Sequence, residues 1–111
     1  MKRIEVILTQ AIEEDFVALY EKACRQSFSK CKYTKINDVV GQGNTDPKLG
    51  DAIWPQLNVM FVLYVEEKFV PVIANIMKKL HKKFVGEGAA AFISDAKELI
   101  VISAAFASFS R

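Results

Sequence analysis

The sequence predicts an α+β fold, a ferredoxin-like β-α-β-β-α-β sandwich with an antiparallel sheet. Three observations lead there. Strand-like and helix-like periodicities succeed one another in the order strand, helix, strand, strand, helix, strand. Each half, one β-α-β unit, has the size that this architecture uses. Between the halves lies an interruption of about 17 residues, Gly41–Leu57, where two strands adjacent in sequence would otherwise follow each other directly.

Taking the elements in order, Arg3–Thr9 alternates, with Ile4, Val6 and Leu8 on one face and Arg3, Glu5, Ile7 and Thr9 on the other, which is a strand pattern. Ile12, Phe16, Leu19, Tyr20, Ala23, Cys24 and Phe28 then recur at helical spacing. Glu13, Glu14 and Asp15 sit where the positive end of the helix dipole favours acidic side chains. Tyr33–Val40 returns to alternation. Beyond the interruption, Asn58–Val65 reads as a strand that is apolar on both faces. Pro71 suits the first turn of the next helix. Val72, Ile73, Ile76, Met77, Leu80 and Phe84 form its buried stripe, and Lys78, Lys79, Lys82 and Lys83 complement the dipole at its end. Gly86-Glu87-Gly88 stops it. Ala89–Ile93 and Leu99–Ile102 read as a strand pair or one interrupted strand, joined through Ser94–Lys97, and residues 103–111 form a small apolar tail.

A chain of 111 residues, 51% apolar, suits one domain over 1–111 with a core that needs neither disulfide nor metal. The net charge of +2, with acidic and basic residues interspersed, gives no basic face for nucleic acid. No segment reaches membrane-spanning length, and Met1-Lys2-Arg3 leads into an apolar run too short for a signal-peptide core. The expectation is a soluble, cytoplasmic protein. Cys24 and Cys31 read as ordinary thiols, the alternative being a redox switch. The third strand poses a problem: a sheet with helices on one face only should alternate apolar and polar residues. A second copy of the chain is the simplest cover for the other face.

The opening Met1–Ile7, Gly41-Gln42-Gly43 at the root of the interruption, Pro55 just before the third strand, and Gly86-Glu87-Gly88 after the second helix stand in the order and spacing of the PII signalling superfamily. From Met1 to about Ile102 the chain resembles a divergent PII-like protein. That resemblance implies a homotrimer whose sheets pack around a central axis. It implies that 41–57 is a T-loop docking on a target enzyme, transporter or regulator, a transporter target bringing the protein to a membrane indirectly. It implies that Gly86–Ala89 is a B-loop, and that adenine nucleotides (ATP, ADP, AMP or a cyclic nucleotide) bind between subunits as effectors. Nitrogen regulation is the family's best-known role.

The departures concern charge. Ala89 stands where nitrogen-regulatory PII proteins have a lysine, Gln56 replaces the lysine after the T-loop proline, Lys82-Lys83-Phe84 replaces Thr-Gly-Lys, and apolar Leu99–Ile102 replaces a strand bearing arginines. Phosphate needs compensating cations or many N–H donors, so these losses argue against tight ATP binding. The loop has neither the Tyr nor the Ser that carries modification in some relatives, and Thr45 is its one hydroxyl.

The candidate effector site is therefore Gly41, Gln42, Gly43, Gln56, Gly86, Glu87, Gly88 and Ala89. Glycine turns allow close backbone approach and present N–H groups to an anion, but they equally serve a strand exit or a helix stop. The candidate docking loop is Asn44, Thr45, Asp46, Lys48, Asp51 and Trp54. Trp54 suits a partner anchor, or packing against its own subunit or a neighbour. Asp46 and Asp51 read as solvated turn residues. No catalytic pair and no metal set is expected. A metal-tolerance trimer of the same fold, the competing class, would need clustered ligands, and only Cys24, Cys31 and His81 are at hand. An RNA-binding module is disfavoured because Phe61 and Tyr64, three apart on a strand, face opposite ways.

Overall fold

A computed structural model describes residues 1–27, 32–40, 57–100 and 102. The element order is β1 (Lys2–Thr9), a 3-10 turn (Gln10–Ile12), α1 (Glu13–Gln26), β2 (Thr34–Val39), β3 (Asn58–Val65), a second 3-10 turn (Glu67–Phe69), α2 (Val70–Lys83) and β4 (Ala89–Asp95). The four strands form one antiparallel sheet in the order β2-β3-β1-β4, with both helices against one face. This is the predicted ferredoxin-like arrangement.

The side-chain alternation read from the sequence sets the layers. Ile4, Val6 and Leu8 of β1 and Val59, Phe61, Leu63 and Val65 of β3 all lie in the core. Against them pack Ile12, Phe16, Tyr20 and Cys24 from the first helical segment, and Phe69, Ile73, Ile76 and Leu80 from the second. The aromatic centre is Phe16, wholly buried, with its ring 5.0 Å from Phe61 and stacked 5.9 Å from Tyr20. Burying one such side chain contributes roughly 1.5–3 kcal/mol. Val72, Met77 and Phe84 are half-buried at the edge of this cluster, as the helical stripe requires. Pro71 falls in the first turn of α2, and the acidic Glu13, Glu14 and Asp15 fill that of α1.

The last strand differs from expectation. It forms no pair with a strand at 99–102 and is not interrupted: β4 runs unbroken through Ser94 to Asp95, and Leu99, Ile100 and Ile102 lie outside any strand. The reason is register. β1 offers partners from Leu8 back to Lys2, and Lys2 is opposite Asp95, so the ladder ends where β1 does. An ion pair between the Lys2 ammonium and the Asp95 carboxylate closes that end. Leu99 is consequently 98% exposed.

The helix-free face of the sheet carries Arg3, Glu5 and Ile7 of β1, Met60, Val62 and Tyr64 of β3, Ala90 and Phe92 of β4, and Ile36 of β2. One end of it is polar. There Arg3 donates to the Tyr64 hydroxyl at 3.1 Å, and its guanidinium lies 5.9 Å from the Tyr64 ring. Beyond Glu5, which stands opposite Val62 and Phe92, and Thr34 of β2, the face is apolar, with Ile7 and Val62 buried and Ile36 and Phe92 exposed. β3 is thus apolar on both faces, as its sequence indicates.

Candidate effector site at the end of β1

The register brings four chain segments to one end of the sheet. β1 finishes at Thr9 opposite Asn58, where β3 begins; Leu8 pairs with Ala89, where β4 begins; and Val39, at the end of β2, pairs with Asn58 as well. The central position of β1 therefore puts its last residues between the Gly86–Ala89 turn and the far end of the 41–57 segment. Two successive amides make the connection. The Thr9 N–H donates to the Gly88 carbonyl at 3.1 Å, and the Gln10 N–H donates to the Leu57 carbonyl at 3.2 Å.

The turn is built from the end of α2. The Phe84 N–H still donates to Leu80, at 2.9 Å, and the Glu87 N–H donates back to the Phe84 carbonyl at 3.2 Å. Gly86 between them has φ +93°, in the left-handed region that glycine occupies without strain. A Cβ there would meet no atom within 4 Å, so the requirement for glycine is conformational and not one of space. Gly88 is buried, and Ala89 opens β4 half-buried. The Glu87 carboxylate accepts a hydrogen bond from the Thr9 hydroxyl at 2.9 Å. Thr9 is buried, whereas Glu87 is exposed.

On the other side, β2 reaches the site through an irregularity. A register shift falls between Ile36 and Val39, and Asp38 has φ 60°. An extra residue in one strand bends it and tightens its twist, which redirects the chain just before residue 41.

Of the predicted effector residues, Gly86, Glu87, Gly88 and Ala89 are thus placed together, next to Thr9, Gln10 and Leu57. Gly41, Gln42, Gly43 and Gln56 lie outside the described residues, as do Asn44, Thr45, Asp46, Lys48, Asp51 and Trp54 of the predicted docking loop, and Cys31. Sequence reasoning missed Thr9 and Gln10. Their signal was available in the predicted topology: a strand central to the sheet must end beside the starts of both its neighbours.

Among the described residues no three His, Cys, Asp or Glu side chains come together to hold a metal. Cys24 is buried in the core, and His81 is exposed in the last turn of α2. Lys78, Lys79, Lys82 and Lys83 are all exposed, and the Lys83 ammonium lies 5.2 Å from the Phe84 ring. A cavity of about 450 Å³ opens at the opposite end of the sheet, beside Tyr20, Tyr64, Lys68 and Phe69. Its Lys68 already pairs with Glu66 at 3.2 Å. No described helix is long and apolar enough to cross a membrane.

The overall fold is shared with solved structures. CPII from Thiomonas intermedia K12, bound to ADP and bicarbonate, superposes with a TM-score of 0.61 at 19% identity, over 84% of this chain and 82% of that one. This is the fold of the PII-like proteins. The same CPII bound to ADP, AMP and bicarbonate, described as a nitrogen regulatory PII-like protein, gives a TM-score of 0.59 at 18% identity, with the same coverage of 84% and 82%. A protein from Thermus thermophilus named as PII-like and signalling gives 0.52 at 14% identity, over 84% of this chain and 83% of the other. No protein-family profile and no curated protein matches the chain. At identities of 14%, 18% and 19%, the likeness is one of fold.

Proposed function

We propose that the protein is a non-enzymatic PII-like signalling and regulatory protein. In this reading it is a cytoplasmic homotrimer that senses a small effector, an adenine nucleotide being the candidate, in clefts between subunits. It regulates a target enzyme, transporter or regulator through the 41–57 loop.

The observation that carries this is the meeting of the Gly86–Ala89 turn and the end of the 41–57 segment on the consecutive amides of Thr9 and Gln10. An occupant held by the turn would bear directly on the segment that docks. The PII-like fold supports the reading, because CPII is bound to ADP, AMP and bicarbonate in structures of that fold. The apolar part of the helix-free face, with Phe92 53% exposed, supports assembly with further copies.

Native mass spectrometry of the protein as purified, followed by calorimetric titration with ATP, ADP, AMP and cyclic AMP, tests the two halves of the proposal. A trimer that takes up at least one of these nucleotides is expected. A trimer that gives no heat with any of them removes the nucleotide part. Deleting 44–52 should abolish capture of the target while leaving assembly intact, and a shortened chain that cannot assemble would make the loop structural.

A further inference from the structure

β4 is an outer strand of the sheet. Its ladder with β1 is bounded by the bond from Thr9 to the Gly88 carbonyl at one end and from Ala96 to the Met1 carbonyl at the other. An antiparallel pair bonds with a period of two, so residues 88, 90, 92, 94 and 96 turn their backbone groups toward β1. Ala89, Ala91 and Ile93 turn theirs outward, where no described strand lies. The two outer strands are not alike. β2 carries a register shift, the left-handed Asp38 and the Lys35–Glu13 ion pair, and irregularities and charges of this kind discourage a further strand. β4 pairs without a shift from Ala89 to Asp95 and has no charge before Asp95.

That edge is apolar on both faces. Ile93, on the helix side, and Phe92, on the other, are each about half exposed. Beside Ile93 an apolar groove of about 160 Å³ opens between β4 and Val70, Ile73 and Ala74 of α2. A strand that completes such an edge must itself be apolar on both faces, and the run Leu-Ile-Val-Ile at 99–102 has that character. Leu99, Ile100 and Ile102 are exposed and lie outside any strand. In its own chain the run starts past the end of the sheet, because Ala96 continues the line of β4 to its bond with Met1.

We propose that residues 99–102 of one copy add as a fifth strand to the outer edge of β4 in a second copy. Alternate side chains of the run enter the groove between β4 and α2, and the others lie beside Phe92. The contact joins two different surfaces, so repeated around a ring it links each copy to the next. This goes beyond assembly on the helix-free face, and the two can fail separately.

Hydrogen exchange followed by NMR reads the edge directly, because an outward amide is protected only when a further strand accepts from it. A chain of residues 1–98 keeps the whole core and all four strands. In this chain, labelled with nitrogen-15, Ala91 and Ile93 should exchange freely, whereas Phe92, which faces β1, should exchange slowly. Adding unlabelled full-length chain should slow Ala91 and Ile93 at least about tenfold and leave Phe92 unchanged. In the full-length chain, Ala91→Pro should restore free exchange at Ile93 while Phe92 stays protected, since proline is tolerated where the N–H faces outward but cannot donate to an added strand.

Free exchange of both amides in the full-length assembly would overturn the strand addition, and if that assembly is still a trimer the signalling reading is untouched. Protection in the full-length chain that labelled 1–98 never acquires from added chain would also overturn it, because the run would then be folding back on its own β4. Protection at Ile93 that survives Ala91→Pro would overturn it as well.

Discussion

Replacing Thr9 by Val removes one hydroxyl and leaves the outline of the side chain almost unchanged. In the wild type Thr9 is buried, and its hydroxyl donates to the Glu87 carboxylate at 2.9 Å. Hydrogen bonds to charged groups contribute about 1.5–3 kcal/mol, but this one is longer than the 2.5–2.7 Å usual for a hydroxyl on a carboxylate. Glu87 is also exposed, so its oxygen regains water when the hydroxyl is removed, and Val leaves no orphaned donor behind. The expected cost is therefore about 1 kcal/mol, equivalent to a fall in Tm of roughly 4 °C for a domain of this size. The assay is urea denaturation of the wild type, Thr9→Val, Glu87→Ala and the double variant at fixed protein concentration, with Thr9→Ser as a control that keeps the hydroxyl. The two single substitutions should fail to add by most of that 1 kcal/mol. A coupling of less than about 0.3 kcal/mol, the ordinary scatter for independent sites, would refute the claim that this contact ties the turn to β1.

Other outcomes can be checked alongside it. Phe16→Ala should cost about 3–5 kcal/mol, because it empties the centre of the aromatic cluster, and thermal unfolding followed by circular dichroism would show it. Asp38→Gly should stabilise by up to about 1 kcal/mol and Asp38→Val should destabilise by a similar amount or more, since φ 60° suits Gly and opposes a β-branched side chain; denaturant midpoints read both. Phe92→Asp should shift the sedimentation coefficient toward that of a single chain without loss of secondary structure, if the exposed apolar face is where copies meet.

The end of the sheet gives the pH dependence. The hydrogen bond from Lys2, with its charge, holds the Asp95 carboxyl below the ordinary aspartate range, and the same pair raises Lys2 above the ordinary lysine range. Asp95 therefore contributes stability that is complete above the normal carboxylate range and is lost as pH falls through its lowered value. Lys2 contributes stability that persists until pH rises through its raised value. Asp95→Asn should flatten the acid limb of stability against pH, and an NMR titration in which Asp95 behaves as a free carboxylate would contradict the pairing.

Much of the fold was legible in the sequence because periodicity and burial agree in the central elements. Ile4, Val6 and Leu8 and the apolar run of β3 announce strands, and the stripe through Ile73, Ile76 and Leu80 announces a helix. Local pattern failed at β4 for a definite reason. Leu99–Ile102 has stronger strand character than Ser94-Asp95, but hydrogen-bonding partners and not propensity set the end of a ladder, and β1 has none beyond Lys2. The glycine turn was legible as a helix stop. The bond from Thr9 to Glu87 joins residues 78 apart in the chain, and no spacing rule reaches that far. The left-handed Asp38 was equally hidden, since Asn37-Asp38 inside an alternating run looks like ordinary strand.

The pair of amides at Thr9 and Gln10 also has a spectroscopic consequence. The two protons belong to adjacent residues, yet one bonds to the carbonyl of Gly88 and the other to that of Leu57. Their chemical shifts and their exchange with deuterium are thus separate gauges of the two segments, placed side by side. An occupant that grips only the turn would move the Thr9 resonance and slow or speed its exchange. A rearrangement of the connection before β3 would register at Gln10. When both move with the same dependence on added ligand, the turn and the connection are shifting as one body. When they move with different dependences, the two segments respond in separate steps.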